Sequence, residues 1–423
     1  MLARLKLLGA GTLLAAAALA AHVPSASAQA PSGEPIKIGF GMAETGPLGP
    51  NGKSALLAME IWVEETNAKG GLIGRPVQLV HYDDQSNPST VPGIYSKLLD
   101  VDKVDVIVGG YGTNMLAPAM PVVVQRKKVF LGLYGLGVNS DFNYDRYFAM
   151  IPSGPEPKTS FTKGFFDTAM AQNPKPATVA IVAADAEFSK NASDGARENA
   201  KKAGLKIVYD KSYPPSTTDF GPIVRGIQAT NPDLVVICSY PLNSVGMVLA
   251  ANEAKLNPKM IDGAMVGLQS TVFKTKLGPA LNGYMNYDFW LPAKSLMFKG
   301  TAEFMQKYQD RAVKAGVDPL GYYMAPFSYS YLDVLGQAIT ATKSVDDAKL
   351  ADYLRKTTFK TIVGDVSFGK NGEWAKSRVF KAQFRGIKGN GIDQFRNPET
   401  LAIITPAEYK SGDVIYPFEK ARQ

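Results

Sequence analysis

Reactive side chains are scarce in this sequence. Its 423 residues include one cysteine, Cys238, and two histidines, His22 and His81. A single cysteine excludes an intramolecular disulfide, and so few histidines leave no Cys/His spacing that would hold a metal. A Ser-His-Asp triad would need His81, and no nucleophile-elbow sequence supplies the serine. Gly109-Gly110-Tyr111-Gly112 is not followed by Gly-Lys-Ser/Thr, so there is no Walker phosphate loop. Gly39-x-Gly41 begins like a dinucleotide fingerprint, but its third position is Glu44. The next acidic pair at a strand end, Asp83-Asp84, lies about twice as far along as a ribose-binding acid should. No block of Lys and Arg reads as a nucleic-acid patch. Beyond the first residues, no apolar run reaches membrane-spanning length. These absences argue against an enzyme, a resident cofactor or metal, and a nucleic-acid partner.

What is present begins with an address. Arg4 and Lys6 precede an apolar stretch over 7–21, and Ala26-Ser27-Ala28 places small residues where a signal peptidase reads. This predicts a secretory signal over 1–28, cleaved after Ala28. No cysteine follows it, so a lipid anchor is not expected, and the mature chain is expected outside the inner membrane. Without Arg4 and Lys6 the net charge falls from +8 to +6, a modest and dispersed excess. Hydrophobic residues make up 45% and charged residues 20%, a globular balance.

Strand and helix patterns then alternate. Strands are predicted at 36–40, 77–82, 104–108 and 129–133. A turn-rich loop over 46–52 precedes a helix over 53–68, Asn87-Pro88 opens a second helix, and a third covers 115–126. The pattern restarts with strands at 178–183, 205–209 and 233–239 and helices at 188–203, 220–229 and 244–255. Two α/β lobes with parallel sheets fit this better than one large sheet. The last part changes character: extended at 284–291, helical at 301–314, 322–342 and 348–356, extended at 361–368 and 380–384. If these elements return to the first lobe, the chain crosses between lobes several times, which makes a hinge and a cleft.

The stretch 104–114 organises the whole. An apolar strand runs into Gly109, Gly110 and Gly112, which allow a tight turn and close approach of a ligand. Thr113 or Asn114 is placed to cap the following helix. In open α/β sheets, ligands sit at the carboxyl ends of strands.

Several landmarks in order carry a family resemblance: Thr45-Gly46-Pro47 with Gly52, the run from Asn67 through Gly70-Gly71 to Arg75-Pro76, Tyr82-Asp83-Asp84, Val108-Gly109 with Pro118, and Ala184-Asp185-Ala186-Glu187-Phe188. Over 36–384 the chain resembles bacterial periplasmic solute-binding proteins and is similar to the leucine/isoleucine/valine-binding family that feeds ABC importers. The resemblance implies two doubly wound, Rossmann-like α/β lobes joined by a three-crossover hinge, the type I periplasmic binding protein fold. The expected divisions are lobe 1 over 29–152 and 285–362, lobe 2 over 153–284 and 363–400, and a loosely docked C-terminal tail over 401–423.

The resemblance also places site residues. The groups that hold a ligand carboxylate fall at Thr113 with Tyr111, Gly112 and Asn114 beside it. The first-loop residue over the ligand falls at Asn51, and a second hydroxyl position near Gly135-Leu136. From the second lobe come an aromatic at Phe188, a tyrosine at Tyr240, and, near Met265, the acid that binds a ligand ammonium. Leu136 offers no hydroxyl and Met265 no carboxylate. Two readings follow: the ligand is a carboxylate with an apolar or aromatic body and no ammonium, or Glu44, Asp185 or Glu187 replaces the missing acid. Tyr134 joins the aromatic wall in either reading. Met265 also reads as core, His81 as structural, and the Tyr322-Tyr323 and Tyr329-x-Tyr331 cluster as helix packing. The partners implied are a small-molecule carboxylate and an inner-membrane ABC permease, with the protein a periplasmic monomer. The rivals are a secreted sensor on the same lobes and a periplasmic enzyme.

Overall fold

A computed structural model of the chain describes residues 30–422. The predicted signal and its cleavage site lie outside these residues. In the first lobe, β1 (Ile36–Met42), β2 (Val77–Asp83) and β3 (Val106–Ile107) form a parallel sheet in the order β2-β1-β3. The parallel pair β4 (Phe130–Leu133) and β5 (Tyr147–Met150) extends it: Gly109 N–H donates to Leu131 O at 2.7 Å and Gly112 N–H to Leu133 O at 3.0 Å. Ile36, Ile38, Phe40 and Met42 are buried, and so are Gly39 and Gly41 between them, as a sheet covered on both faces requires.

The second lobe holds β6 (Thr178–Ala184), β7 (Lys206–Tyr213), β8 (Leu234–Ser239) and β9 (Met260–Met265), all parallel in the order β7-β6-β8-β9. Beside β9 lies β10 (Met285–Asp288), where the Asn286 amide bonds both the N–H and the C=O of Met265, each at 3.0 Å. The chain then returns to the first lobe through the helices Thr301–Ala315, Ala325–Thr342 and Asp347–Lys356 and a hairpin of β11 (Phe359–Thr361) and β12 (Gly364–Val366). It crosses back to add β13 (Phe380–Phe384) antiparallel to β10 and β14 (Leu401–Thr405) antiparallel to β13, in the order β10-β13-β14. Two α/β lobes joined by three crossings is the architecture that the family resemblance implied.

Local details differ from expectation for physical reasons. The first helix starts at Gly49, inside the predicted loop, because Pro50 suits a first turn. The helix over 115–126 is broken into Thr113–Leu116, a 3-10 turn Ala117–Ala119 and Met120–Gln125. Pro118 and Pro121 cannot donate the bonds that would join them. The labelled strand within 104–108 is only Val106–Ile107, although Asp105 and Val108 also donate to β1. The extended run over 361–368 folds into the β11–β12 hairpin, and the helix over 322–342 starts at Ala325.

The lobe boundaries also move. β10 pairs with β13, so the first return begins after Asp288 and not at 285; β12 pairs with β11, so the second begins after Val366 and not at 363. The expected tail from 401 opens with strand β14. Its end is docked: Ile415 exchanges two hydrogen bonds with the Gln383 amide (2.8 and 3.0 Å), and Phe418 is buried edge-on against Tyr284 at 5.3 Å.

At the hinge the first and third crossings touch. Arg378 N–H donates to Pro152 O at 2.7 Å. The buried Glu373 has Ser153 Oγ at 3.3 Å, and burial pushes its carboxyl up to about 8.

Candidate functional site

The glycine turn after β3 has two kinds of glycine. A side chain on Gly109 would meet Leu116 at 2.0 Å, and one on Gly110 would meet Gly41 O at 2.0 Å, so these two serve packing. Gly112 has φ +94° with open space before it, and it carries the approach to the cleft. Gly112 is also the residue that precedes the short helix Thr113–Leu116. The predicted side-chain cap from Thr113 or Asn114 is absent, because both side chains point elsewhere. The buried Thr113 hydroxyl accepts Leu136 N–H at 3.0 Å, which leaves its own O–H as a donor. The backbone N–H groups of Thr113 and Asn114 bond no other described residue.

Asn114 reaches the other lobe. Its Oδ1 accepts Phe188 N–H at 3.3 Å and the Tyr240 hydroxyl. A second bridge runs from Asn191 Nδ2 to Leu136 O at 2.9 Å. A third joins the far side of the cleft, where Asp318 accepts Thr271 N–H at 2.7 Å and the Thr271 hydroxyl at 2.6 Å. The lobes are therefore closed on one another.

Between them lies a small cavity. From the first lobe it is lined by Leu48, Tyr111, Gly112, Thr113, Asn114, Tyr134 and Tyr323; from the second by Phe188, Tyr240 and Val266; and from the crossings by Ile151 and Phe289. No lining residue is charged. The free volume is about 20 Å³, room for about one water, so a larger ligand enters only as the lobes part and the rings shift. Tyr134 packs against Phe289 at 4.9 Å and Tyr323 at 5.0 Å, and Phe188 meets Tyr240 edge-on at 6.2 Å. Burial pushes the Tyr111 hydroxyl up to about 12, partly offset by hydrogen bonds with Tyr323 and Asn51. Burial likewise raises Tyr134, Tyr240 and Tyr323. The wall stays neutral at physiological pH.

Tyr111, Gly112, Thr113, Asn114, Phe188 and Tyr240 thus meet at one cavity. Four expected residues do not line it. Asn51 donates to the Tyr111 hydroxyl at 2.8 Å and acts through that ring. At Gly135 a side chain would meet Leu116 at 2.6 Å, so the position is packed shut. Leu136 contributes only its backbone, and its buried side chain joins the core. Met265 is fully buried at the end of β9, and its neighbour Val266 takes the cavity position.

The replacement acids are elsewhere. Glu44 bonds His81 Nδ1 at 2.8 Å, Asp185 pairs with Lys190 at 2.8 Å, and Glu187 lies outside the lining. Sequence reading missed Leu48, Ile151, Val266 and Phe289, and it assigned Tyr323 to helix packing. A signal for Tyr323 was available: Pro326 marks a helix start at Ala325, which leaves Tyr323 in the loop before it.

A family model described as "Periplasmic binding protein" matches residues 35–388. The chain is 25% identical over 372 residues to Leu/Ile/Val-binding protein homolog 7 of Brucella abortus, covering 85% of this chain and 91% of that protein. It is structurally similar to a leucine binding protein from Thermotoga maritima, with a TM-score of 0.72, 19% identity, and coverage of 84% and 96%. A solute binding protein from R. palustris in complex with benzoate aligns with a TM-score of 0.71, 15% identity, and coverage of 84% and 94%. These two structural likenesses bear on the fold alone.

Proposed function

The chain belongs to the periplasmic binding protein family, of the branched-chain amino acid transporter type, and on that premise we propose that it is the substrate-binding subunit of an ABC importer. It reaches the periplasm through a cleaved signal. In the cleft it captures a small carboxylate with an apolar or aromatic body, and it delivers that ligand unchanged to an inner-membrane permease. The observation that carries the ligand class is the uncharged wall, which includes Val266, next to Met265, near which the resemblance places the acid for an ammonium. A buried ammonium without such a partner costs several kcal/mol or loses its proton. A carboxylate, by contrast, meets the Thr113 O–H and the unpaired N–H groups of Thr113 and Asn114. Charge-assisted bonds of this kind are worth about 1.5–3 kcal/mol each. The aromatic rings receive the ligand's body, in keeping with a similar protein named for Leu/Ile/Val and a structural neighbour that holds benzoate.

Thr113→Val tests the anchor. It keeps the shape of the side chain and removes the donor, so affinity for benzoate in calorimetry falls by about tenfold. Circular dichroism stays that of the parent, since the cost to the fold is one buried N–H. Unchanged affinity would place the carboxylate elsewhere.

A further inference from the structure

A second pocket opens at the hinge, with a volume of about 450 Å³. Phe298, Asp365 and Ser367 bound it on the first-lobe side, Trp374, Lys376 and Arg378 come from the third crossing, and Glu408 and Tyr409 close it from the second lobe. It shares no residue with the cleft cavity, and Phe327, packed at a tilt between Trp374 (5.9 Å) and Tyr134 (5.4 Å), lies between the two.

Two acids and two bases line the pocket, and burial sets one of the bases apart. Asp365 is held by Lys360 at 2.6 Å, and Glu408 faces Lys376 at 3.7 Å. That leaves Arg378. Its side chain is mostly buried and its Nε has no hydrogen-bond partner; the Tyr409 hydroxyl and, beyond ion-pairing distance, Glu408 face its charge. Its guanidinium packs at 5.0 Å from the Trp374 ring and 5.9 Å from the Phe298 ring. The Trp374 indole N–H is also buried without a partner. The Arg378 Nε–H and the Trp374 indole N–H, two buried donors without a partner, call for an acceptor. The planar guanidinium suits the two oxygens of a carboxylate, and the ring faces beside it suit an organic body more than a bare mineral ion.

We propose that this hinge pocket is a second binding site, for a small organic carboxylate held by Arg378 and Trp374 and distinct from the cleft. Because its walls come from both lobes and from the crossing between them, its ligand contacts the segment about which the lobes turn.

The test is a benzoate titration of the full mature protein followed by tryptophan emission, with Trp374→Phe as the control that assigns the signal. A saturable change lost in Trp374→Phe is expected. Arg378→Gln should weaken it by about tenfold. Since Arg378 is buried, two exposed rim variants provide an arm free of folding effects. Lys376→Glu should weaken the transition, and Glu408→Gln should strengthen it, each by about threefold at low salt. Thr113→Val should leave it unmoved, and inorganic phosphate at the same concentration should not reproduce it. The proposal is overturned by no saturable change, by a response that follows Thr113 and ignores the three hinge positions, or by a response to phosphate but not to benzoate.

Discussion

Asn114→Ala is expected to lower the apparent affinity of the cleft for its ligand by roughly 30- to 150-fold, with little change in the unfolding midpoint. Asn114 belongs to the first lobe, and the two donors on its Oδ1, Phe188 N–H and the Tyr240 hydroxyl, belong to the second. When the lobes part, water satisfies all three groups, so the bonds count toward closure and not toward the fold of either lobe. Two bonds at about 1–1.5 kcal/mol each shift the open–closed equilibrium by about 2–3 kcal/mol. Apparent affinity falls in proportion to the fraction of molecules that close. Tyr240→Phe removes one of the two bonds and should lower the affinity in the same sense by roughly tenfold. Calorimetry with benzoate measures both, and small-angle scattering reports whether Asn114→Ala stays open at ligand concentrations that close the parent. Equal affinity in parent and Asn114→Ala would mean that this bridge does not hold the lobes together.

The second large effect concerns the frame. Lys381→Met should lower the unfolding free energy by about 3–5 kcal/mol at neutral pH. Lys381 on β13 bonds Asp262 on β9 at 2.6 Å and Gly263 O at 3.2 Å, across β10 between them, and both side chains are buried. Burial raises the Asp262 carboxyl, and Lys381 opposes that rise. Without the lysine, Asp262 gains a proton more readily in the folded state than in the unfolded one. Stability of the variant therefore falls as pH rises above the unfolded carboxylate value of about 3.9. The deficit against the parent is smallest near that pH and grows toward neutrality. The double variant Lys381→Met with Asp262→Leu removes both charges and should recover most of the loss. Urea unfolding followed by circular dichroism checks all three; a single variant as stable as the parent would show that the pair contributes nothing.

The legible part of this molecule was local. Gly112, Thr113 and Asn114 sit in one turn at the end of a strand, and Phe188 and Tyr240 each follow a strand end, so short stretches of sequence marked them and the fold brought them together. Where the reading slipped, the error was one residue or one role. Met265 ends β9 and Val266 opens the 3-10 turn that follows it, so a single step exchanges core for cavity. Asn51 was singled out but reaches the cavity only through Tyr111. Phe289 and Tyr323 come from the second crossing and the return to the first lobe. Pro326 marks Tyr323 as a loop residue, but what it and Phe289 face includes Tyr111 and Tyr134, more than a hundred positions away, which nothing near them in sequence shows. Strand β14 was missed for another reason: it is only five residues long, Leu401–Thr405, and pairs with β13 alone.

The central claim is that this cleft accepts a carboxylate and has no place for an ammonium. Titration calorimetry on the mature protein, freed of carried-over ligand, compares leucine and phenylalanine with their deaminated keto acids and with benzoate. The uncharged wall and Val266 predict that the acids lacking an ammonium bind and that the amino acids bind at least about tenfold more weakly, since the unmatched ammonium costs several kcal/mol. Amino acids that bind more tightly than their keto acids would contradict the account and require an acid at the cleft that the closed lobes do not present.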